Sequence, residues 1–248
     1  RALIYIQDIF YSDRFIVDLE GIAQTAKVCN DSKIGERVYV GEHTYIGKGT
    51  TIGDGVKILG NSYIFDDVRV GDNTYIYPNV CAYKGCEIGR NCIIHSGTQI
   101  GVDGFRFEQD IGKKLVQKII HVGKVIIGDR VEIGANSTID RATFADDATN
   151  LLDDVKLDDQ VHIGHNVKIG ARTLIAAQTC ISGSVKIGED VWVGAGVSIS
   201  NGVKIGDRTK VLLNAVVAYD VSDDEMISGF YAMPHRQWKR VFKKLTEW

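Results

Sequence analysis

Residues 161–206 read VHIGHNVKIGARTLIAAQTCISGSVKIGEDVWVGAGVSISNGVKIG, and one aliphatic side chain returns at every sixth position: Ile163, Ile169, Ile175, Ile181, Ile187, Val193, Ile199 and Ile205. Two residues before many of these sits a second branched side chain (Val161, Val167, Val185, Val191, Val203), and the residue after is often glycine (Gly164, Gly170, Gly188, Gly194, Gly206). Alternate residues of a strand point to the same side. Each hexad therefore encodes a short strand with two inward side chains, then a turn that glycine is expected to permit through its backbone freedom. Identical positions six apart stack into columns, which is how a solenoid builds its core.

The same step extends in both directions. It runs forward through Val211 and Val217, and back through Leu157, Leu151, Ala145, Ile139, Ile133 and Ile127. An earlier run follows the same rule from Ile22 through Ile34, Ile46, Ile58, Val70 and Ala82 to Ile100. Between Ile100 and Ile127 lie 27 positions, not a multiple of six, so GVDGFRFEQDIGKKLVQKIIHVGK must leave the coil. Long excursions from a regular scaffold are usually functional. The stretch RATFADDATN keeps the phase but degrades the pattern, which predicts a bulged coil. Past Val217 the repeat stops. GFYAMPHRQWKRVFKKLTEW reads as a helix, with Pro234 near its first turn and Trp238, Val241, Phe242, Leu245 and Trp248 at helical spacing. Three segments follow: residues 1–21, a cap or the remnant of an upstream domain; 22–220, the repeat domain with an excursion over 101–126; and 221–248, a C-terminal extension and helix. The opening ALIYIQDIFYSDRF fits either a helix or a strand over the first coil. The chain opens on Arg1, so upstream residues are expected to be missing.

The bulk figures agree with an all-β solenoid. Against 27 glycines there are only 2 prolines, suiting turns made by Gly, Asn and Asp. A formal net charge of -3 gives no field that would gather nucleic acid, so none is expected as a partner. Five cysteines without a CxxC pair suggest free thiols, buried as small apolar residues, in a reducing and hence cytoplasmic setting. The Cys81–Cys86–Cys92 spacing matches no zinc pattern, and no metal is expected.

Chemistry concentrates in KLDDQVHIGHNVKIG, residues 156–170. His162 and His165 are three apart, which along a strand turns them to opposite faces and argues against a shared metal. His165 falls in the turn after inward Ile163, where a side chain projects beyond the prism. By spacing alone the favoured reading is two surface histidines in a turn-rich protein.

The runs GVDGFRF, VEIGANSTIDRAT, LDDQVHIGHNVKIG, LIAAQTCISGSVKIG and GFYAMPHRQW resemble the hexapeptide-repeat acyltransferases, specifically the UDP-3-O-(3-hydroxyacyl)glucosamine N-acyltransferases of lipid A biosynthesis. The likeness covers roughly residues 20–245. It implies a left-handed parallel β-helix of about ten coils, three hexads each, with the C-terminal helix after it. It also implies homotrimers with active sites in clefts between prisms. The reaction implied moves a 3-hydroxyacyl chain from acyl carrier protein to the 2-amino group of a UDP-glucosamine derivative. No cofactor is needed beyond the phosphopantetheine that carries the acyl group. His165 matches the catalytic base, and an imidazole near neutrality suits removal of a proton from an attacking amine. Asn166, Gln160 and Asp158 would line or brace the cleft. Phe105 and Phe107 resemble a GFGF motif beside the acyl path, or else anchor the long loop onto the prism. Lys118 falls where that pattern carries a lysine, although Ile120 and His121 follow it here in place of Pro-Gln.

Four departures stand out. The family's upstream uridine-binding domain would end near where this chain begins. Gly202 stands where a second functional histidine is expected, Arg106 replaces the middle glycine of GFGF, and Asp159 replaces an asparagine. The C-terminal helix carries His235, Arg236, Lys239, Arg240, Lys243 and Lys244, which fit either a carrier-protein dock or a solvated face, with membrane-surface binding a weaker reading. Three other functions compete. A nucleotide-amino-sugar N-acetyltransferase using acetyl-CoA would share the His165 base. A γ-carbonic-anhydrase-like metalloenzyme would need three converging histidines from His95, His121, His162 and His165, whose phases do not suggest convergence. A non-catalytic prism would need none of them.

Overall fold

The computed structural model describes residues 19–229 and 234–246. Most of the 1–21 segment, together with residues 230–233 and 247–248, lies outside the described residues. Within them the chain winds as a left-handed parallel β-helix of triangular section. Its three faces hold 11, 10 and 9 strands among the described residues. The first face runs from Gly21–Ile22 to Met226–Ile227, the second from Lys27–Val28 to Val216–Val217, and the third from Lys33–Ile34 to Lys204–Ile205. At about 4.8 Å per strand the longest face is roughly 48 Å.

Most strands are two residues long, the first outward and the second inward, as at His162–Ile163. Registers are in phase, so Ile139 faces Ile163 and Ile163 faces Ile181. These side chains are essentially inaccessible to solvent, along with Ile46, Ile64, Ile94 and Ile100. The second inward position holds Val or a small polar residue. Buried Thr98 and Thr179 pass their hydroxyl hydrogens to the carbonyls of Gly134 and Gly194 in the next coil. No buried hydroxyl of these two is thereby left unpaired.

Glycine after the inward residue has a different cause from the one expected. Gly164 does not have a positive φ; a Cβ there would lie 2.7 Å from the Gly183 nitrogen of the following coil. Stacking distance, not backbone freedom, excludes a side chain. The left-handed residue comes two places later, as at Asn166 with φ 62°. Asn and Asp adopt that region more readily than most residues.

The prism departs from its regular pitch twice, and both times at the corner between the second and third faces. Gln99–Val102 leads into the excursion, which folds as an antiparallel hairpin of Phe107–Asp110 and Leu115–Lys118 before Lys124–Ile127 rejoins the third face. One coil later the chain bulges between Thr138–Asp140 and Ala148–Leu151. Ala145, placed by the six-step series in the core, is exposed in that bulge. The series regains the interior at Leu151, because the bulge adds about one hexad to its coil. The expected burial of the cysteines holds for Cys86 and Cys92; Cys180 is exposed on the second face. All five are free thiols. The C-terminal helix, α1, spans His235–Thr246, directly after Pro234. Its Trp238, Phe242 and Leu245 side chains, and Trp248, lie outside the described residues. Among the described residues no helix is long and apolar enough to cross a membrane.

Truncating the column should cost what a core cavity costs. Ile163→Ala is expected to destabilise the prism by about 3 kcal/mol. Chemical denaturation followed by far-ultraviolet circular dichroism would read this as an earlier midpoint. An unchanged midpoint would place Ile163 outside the core.

Candidate active site

The corner that carries both irregularities also carries His165. Register makes the assembly explicit. Val102 pairs with Asp140 across adjacent coils, and Thr138 and Ile139 pair with His162 and Ile163. Asp103, Asp140 and the Gly164–His165 turn are therefore brought into three successive layers of one corner. Arg141 fixes the base of the excursion: its guanidinium donates to the carbonyls of Gly101 (2.8 Å) and Lys84 (2.7 Å).

His165 is half-buried and its ring is oriented by a chain of hydrogen bonds. Nδ1 lies 2.9 Å from Asn166 Oδ1. That oxygen also accepts from the Thr143 backbone N–H and hydroxyl, while Asn166 Nδ2 donates to Asp147 Oδ2 at 2.7 Å. The Thr143 amide can only donate, so the Asn166 atom facing His165 is its oxygen. His165 Nδ1 then carries the hydrogen, and Nε2 keeps a free lone pair. Asp147 is held below the usual carboxylate range by the Ala148 amide, Asn166 and Lys168, against a smaller opposing push than those donors combined, although burial is its largest single influence and acts upward. Charge on Asp147 keeps the asparagine in place, and the bulge is what supplies Asp147 and Thr143.

Two glycines frame the imidazole. A Cβ on Gly183 would lie 2.6 Å from His165 Nε2, and one on Gly104 would lie 2.9 Å from its Cδ2. In other turns the amide at the position of His165 is capped by an aspartate of the next coil, as Asp159 Oδ1 caps the Ala135 N–H at 2.6 Å. One coil beyond His165 that position is Gly183, which has no side chain. Among the described residues no acceptor takes a hydrogen bond from the Gly183 N–H.

His121 arrives from the end of the excursion. It is buried, its Nδ1 lies 3.0 Å from the Ile119 carbonyl, and its ring meets His165 edge-on at 5.3 Å. The phases of the hexads gave no hint of this convergence, because His121 lies on a segment that has no phase. Its Nε2 has no hydrogen-bond partner, and a Cβ on Gly104 would lie 3.0 Å from it. Burial lowers its pKa, and nearby His165 acts in the same direction.

The opposite-face expectation for His162 and His165 also needs correction. His162 points outward from its strand, but His165 sits in the turn, and both imidazoles act on the Asp140 carboxylate. Asp140 is 7% exposed and lies 3.8 Å from His162 Nε2, whose Nδ1 is 2.7 Å from the Thr138 hydroxyl. Burial, the largest influence, pushes the Asp140 carboxyl upward, against the pull of His162 and His165.

The remaining expected site residues divide. Asn166 belongs to the cluster. Lys118, at the hairpin base, pairs with Asp103 at 2.8 Å on its rim. Phe105 and Phe107 pack on each other at 5.0 Å and line an open cavity of about 450 Å³ with Arg106, Gln109 and Val116. Phe105 is 92% exposed, so the reading in which it anchors the loop to the prism is overturned. Arg106 has no positive φ, so glycine is not required there by the backbone. Asp158 and Gln160 occupy the corner between the first and second faces, one face-width from His165 in the same chain. Asp158 accepts from the Asp159 and Ala177 amides, and Gln160 from Gln178. Gly202 stacks over Ser184 and Asn166 at the active corner, and a Cβ there would meet open space. Sequence reading missed His121, Asp140, Thr143, Asp147 and Gly183. Asp140 had a signal, standing in the IDR run that carries the resemblance. His95 lies on the first face beside Glu132, apart from this cluster. Among the described residues no group of three or more His, Cys, Asp or Glu is placed to hold a metal.

A parallel prism of stacked hexads, with an imidazole held at one corner by a long loop and a bulge, defines a hexapeptide-repeat protein. Residues 22–155, over half of the chain, match the family described as GMPPB C-terminal domain, and residues 184–218 match bacterial transferase hexapeptide (six repeats). The chain belongs to this hexapeptide-repeat family. Similar proteins include the UDP-3-O-acylglucosamine N-acyltransferases of Polynucleobacter asymbioticus (39% identical over 80 residues, 31% of this chain) and Marinomonas sp. (54% over 46 residues, 18% of this chain). The matches span only 22% and 13% of those relatives' lengths. Among solved structures, Arabidopsis UDP-N-acetylglucosamine acyltransferase aligns with a TM-score of 0.76 at 26% identity, covering 84% of this chain and 71% of that one. The Francisella novicida enzyme of the same name aligns at 0.64 and 22% identity, covering 92% and 78%, and shows the shared fold.

The buried neutral state of His121 has a consequence for stability. In the unfolded chain its imidazole takes up a proton below about pH 6.5. In the fold, burial resists that proton until a lower pH. Stability is therefore expected to fall as pH drops below about 6.5 and to level off under the folded pKa. His121→Gln should remove this part of the slope, measured as melting temperature against pH. Equal slopes in both proteins would show that His121 does not stay neutral in the fold.

Proposed function

We propose that the corner transfers an acyl group from a thioester to the amino group of a nucleotide-linked sugar. The carrying observation is His165 itself, hydrogen-bonded through Nδ1 to Asn166 with Nε2 left free. A neutral imidazole so oriented accepts a proton, and a base braced by a third group is the usual arrangement for activating a nucleophile. As the amine nitrogen attacks the thioester carbonyl, a C–N bond forms and the carbonyl electron pair moves onto oxygen. His165 Nε2 takes one N–H proton. When the C–S bond breaks, the sulfur leaves with its electron pair and receives that proton from the imidazolium, giving an amide and a thiol.

The transient oxyanion needs a donor beside the base. Among the described residues the Gly183 N–H has no acceptor, and a Cβ on Gly183 would lie 2.6 Å from His165 Nε2, which suits this amide to that role. The relatives that match residues of this chain are named as UDP-3-O-acylglucosamine N-acyltransferases. That name supports a UDP-glucosamine derivative as acceptor; a 3-hydroxyacyl chain on acyl carrier protein as donor, in lipid A biosynthesis, is what the resemblance of the GVDGFRF and LDDQVHIGHNVKIG runs implies. The exposed Phe105–Phe107 pair offers an apolar surface beside the corner for such a chain. Asp158 and Gln160, a corner away, reach the site only if a neighbouring prism brings its own copies there, as a homotrimer would.

Mass spectrometry of UDP-amino sugars incubated with 3-hydroxyacyl carrier protein or acetyl-CoA tests this reading. His165→Ala is expected to lower transfer by 10²–10⁴-fold, the usual contribution of general base catalysis, at an unchanged melting temperature. Full activity in His165→Ala would remove the base from the mechanism. A gain of one acetyl group, and none of a hydroxyacyl group, would reassign the donor. Gly183→Ala, which would force the imidazole aside, should cost about 10²-fold; unimpaired transfer would show that this side of the ring is not used.

A further inference from the structure

Asp140 poses a question that the base and its support do not answer. A side chain enclosed this far by the fold normally finds its hydrogen-bond partners within the protein. Asp140 is nearly buried as a residue, no donor among the described residues hydrogen-bonds it, and its carboxylate oxygens are not sealed from solvent. The His162 imidazole lies nearby, its Nε2 at 3.8 Å, beyond direct hydrogen-bond reach. Asp103 adds a second negative charge nearby, partly answered by Lys118. Register places Asp140 opposite the turn that carries His165, one coil away. The acceptor oxygens therefore open onto the corner that holds the imidazole, without a hydrogen bond from the protein.

We infer that Asp140 recognises the acceptor's amino group and makes the site choose an amine over a hydroxyl. The inference rests on the acyl-transfer reading above and narrows its substrate class. A neutral amine carries two hydrogens. One is lost to His165 Nε2 as the C–N bond forms; the other remains on nitrogen through to the amide and is donated to Asp140 throughout. A hydroxyl carries only one hydrogen. Once it points at His165, the hydroxyl oxygen presents lone pairs to the carboxylate, which is left unpaired and repelled. Sites built to hydrogen-bond a specific substrate hydrogen reject analogues that lack it, because their own polar groups are stranded. An ammonium form binds still better, since it adds opposite charge to the same contact. His162 is held by the Thr138 hydroxyl on its far side and faces Asp140 with Nε2, which keeps the carboxylate aimed at the corner.

The test is a binding comparison followed by a turnover comparison. Calorimetry with UDP-glucosamine and UDP-glucose, which differ only in amine against hydroxyl at one carbon, reads recognition without an acyl donor. The wild-type protein is expected to bind the amine at least 10-fold more tightly. In Asp140→Asn the side chain keeps its shape and gains an N–H that a hydroxyl oxygen accepts, so the preference should vanish or reverse. Asp140→Ser serves if the asparagine variant does not fold, and should also lose the preference. With donor present, the amine-to-hydroxyl ratio of kcat/KM should fall by a similar factor in either variant. Equal binding of the two sugars by the wild-type protein would overturn the inference, and so would an amine preference that survives both substitutions. Failure of the transfer reading looks different: an Asp140-dependent amine preference in calorimetry with no product from either donor.

Discussion

Everything in this molecule depends on how closely one coil lies upon the next. Parallel strands at about 4.8 Å leave little room after an inward aliphatic, and at positions such as Gly164, Gly170 and Gly194 a Cβ would overlap the backbone of the next coil. Gly164 shows the limit, with the Gly183 nitrogen of the next coil inside the volume a side chain would need. The same closeness brings a side chain in one turn within reach of the amide in the turn below. Asp159 caps Ala135 this way, its carboxylate oxygen serving as an asparagine oxygen would, which is why the exchange of residue type at 159 leaves the ladder intact. A site arises where the ladder is interrupted. At His165 the capping position one coil on is Gly183, and the side chain that would fill the corner is replaced by open backbone.

Regularity alone gives a prism with three equivalent corners, and a distinct site needs one of them to differ. The excursion, the bulge and the His165 turn fall at the same corner in consecutive layers. Each supplies something a hexad cannot. The excursion delivers His121 and Gly104 against the imidazole; the bulge delivers Thr143 and Asp147 to hold Asn166. Arg141, next to Asp140, ties the bulge to the carbonyls of two earlier coils, so both irregular segments are braced on the rigid stack. Sites carried by rigid elements hold their geometry better than sites on free loops.

Much of this was legible in the residues, and the reason for what was not is physical. The columns are read directly because period six maps onto one buried line; Ile163 and its partners Ile139 and Ile181 all fall inside. The method fails where phase is kept by length and not by packing. Ala145 keeps the count but lies in the bulge, exposed. It also fails for contacts that have no phase at all. His121 sits in a segment outside the repeat, so nothing in its spacing announces His165 as its neighbour. Asp158 and Gln160 lie close to His165 in sequence but a corner away in space, because half a dozen residues carry the chain across one whole face.

The IDR run shows how motif and geometry divide the work. Ile139 is a core rung, Arg141 a brace across coils, and Asp140 between them faces the site. Three consecutive residues thus serve the core, the brace and the site's lining, which is possible because successive side chains at a strand's end point in different directions. His165 and Asn166 repeat the device in the next coil: one side chain faces the corner while its neighbour, at positive φ, turns back to orient it. An imidazole oriented in this way would serve an amine or a hydroxyl equally well. Orientation alone therefore does not set a class of acceptor; discrimination would fall to the groups around the ring, where the nearly buried Asp140 carboxylate takes no hydrogen bond among the described residues and the buried His121 Nε2 has no partner.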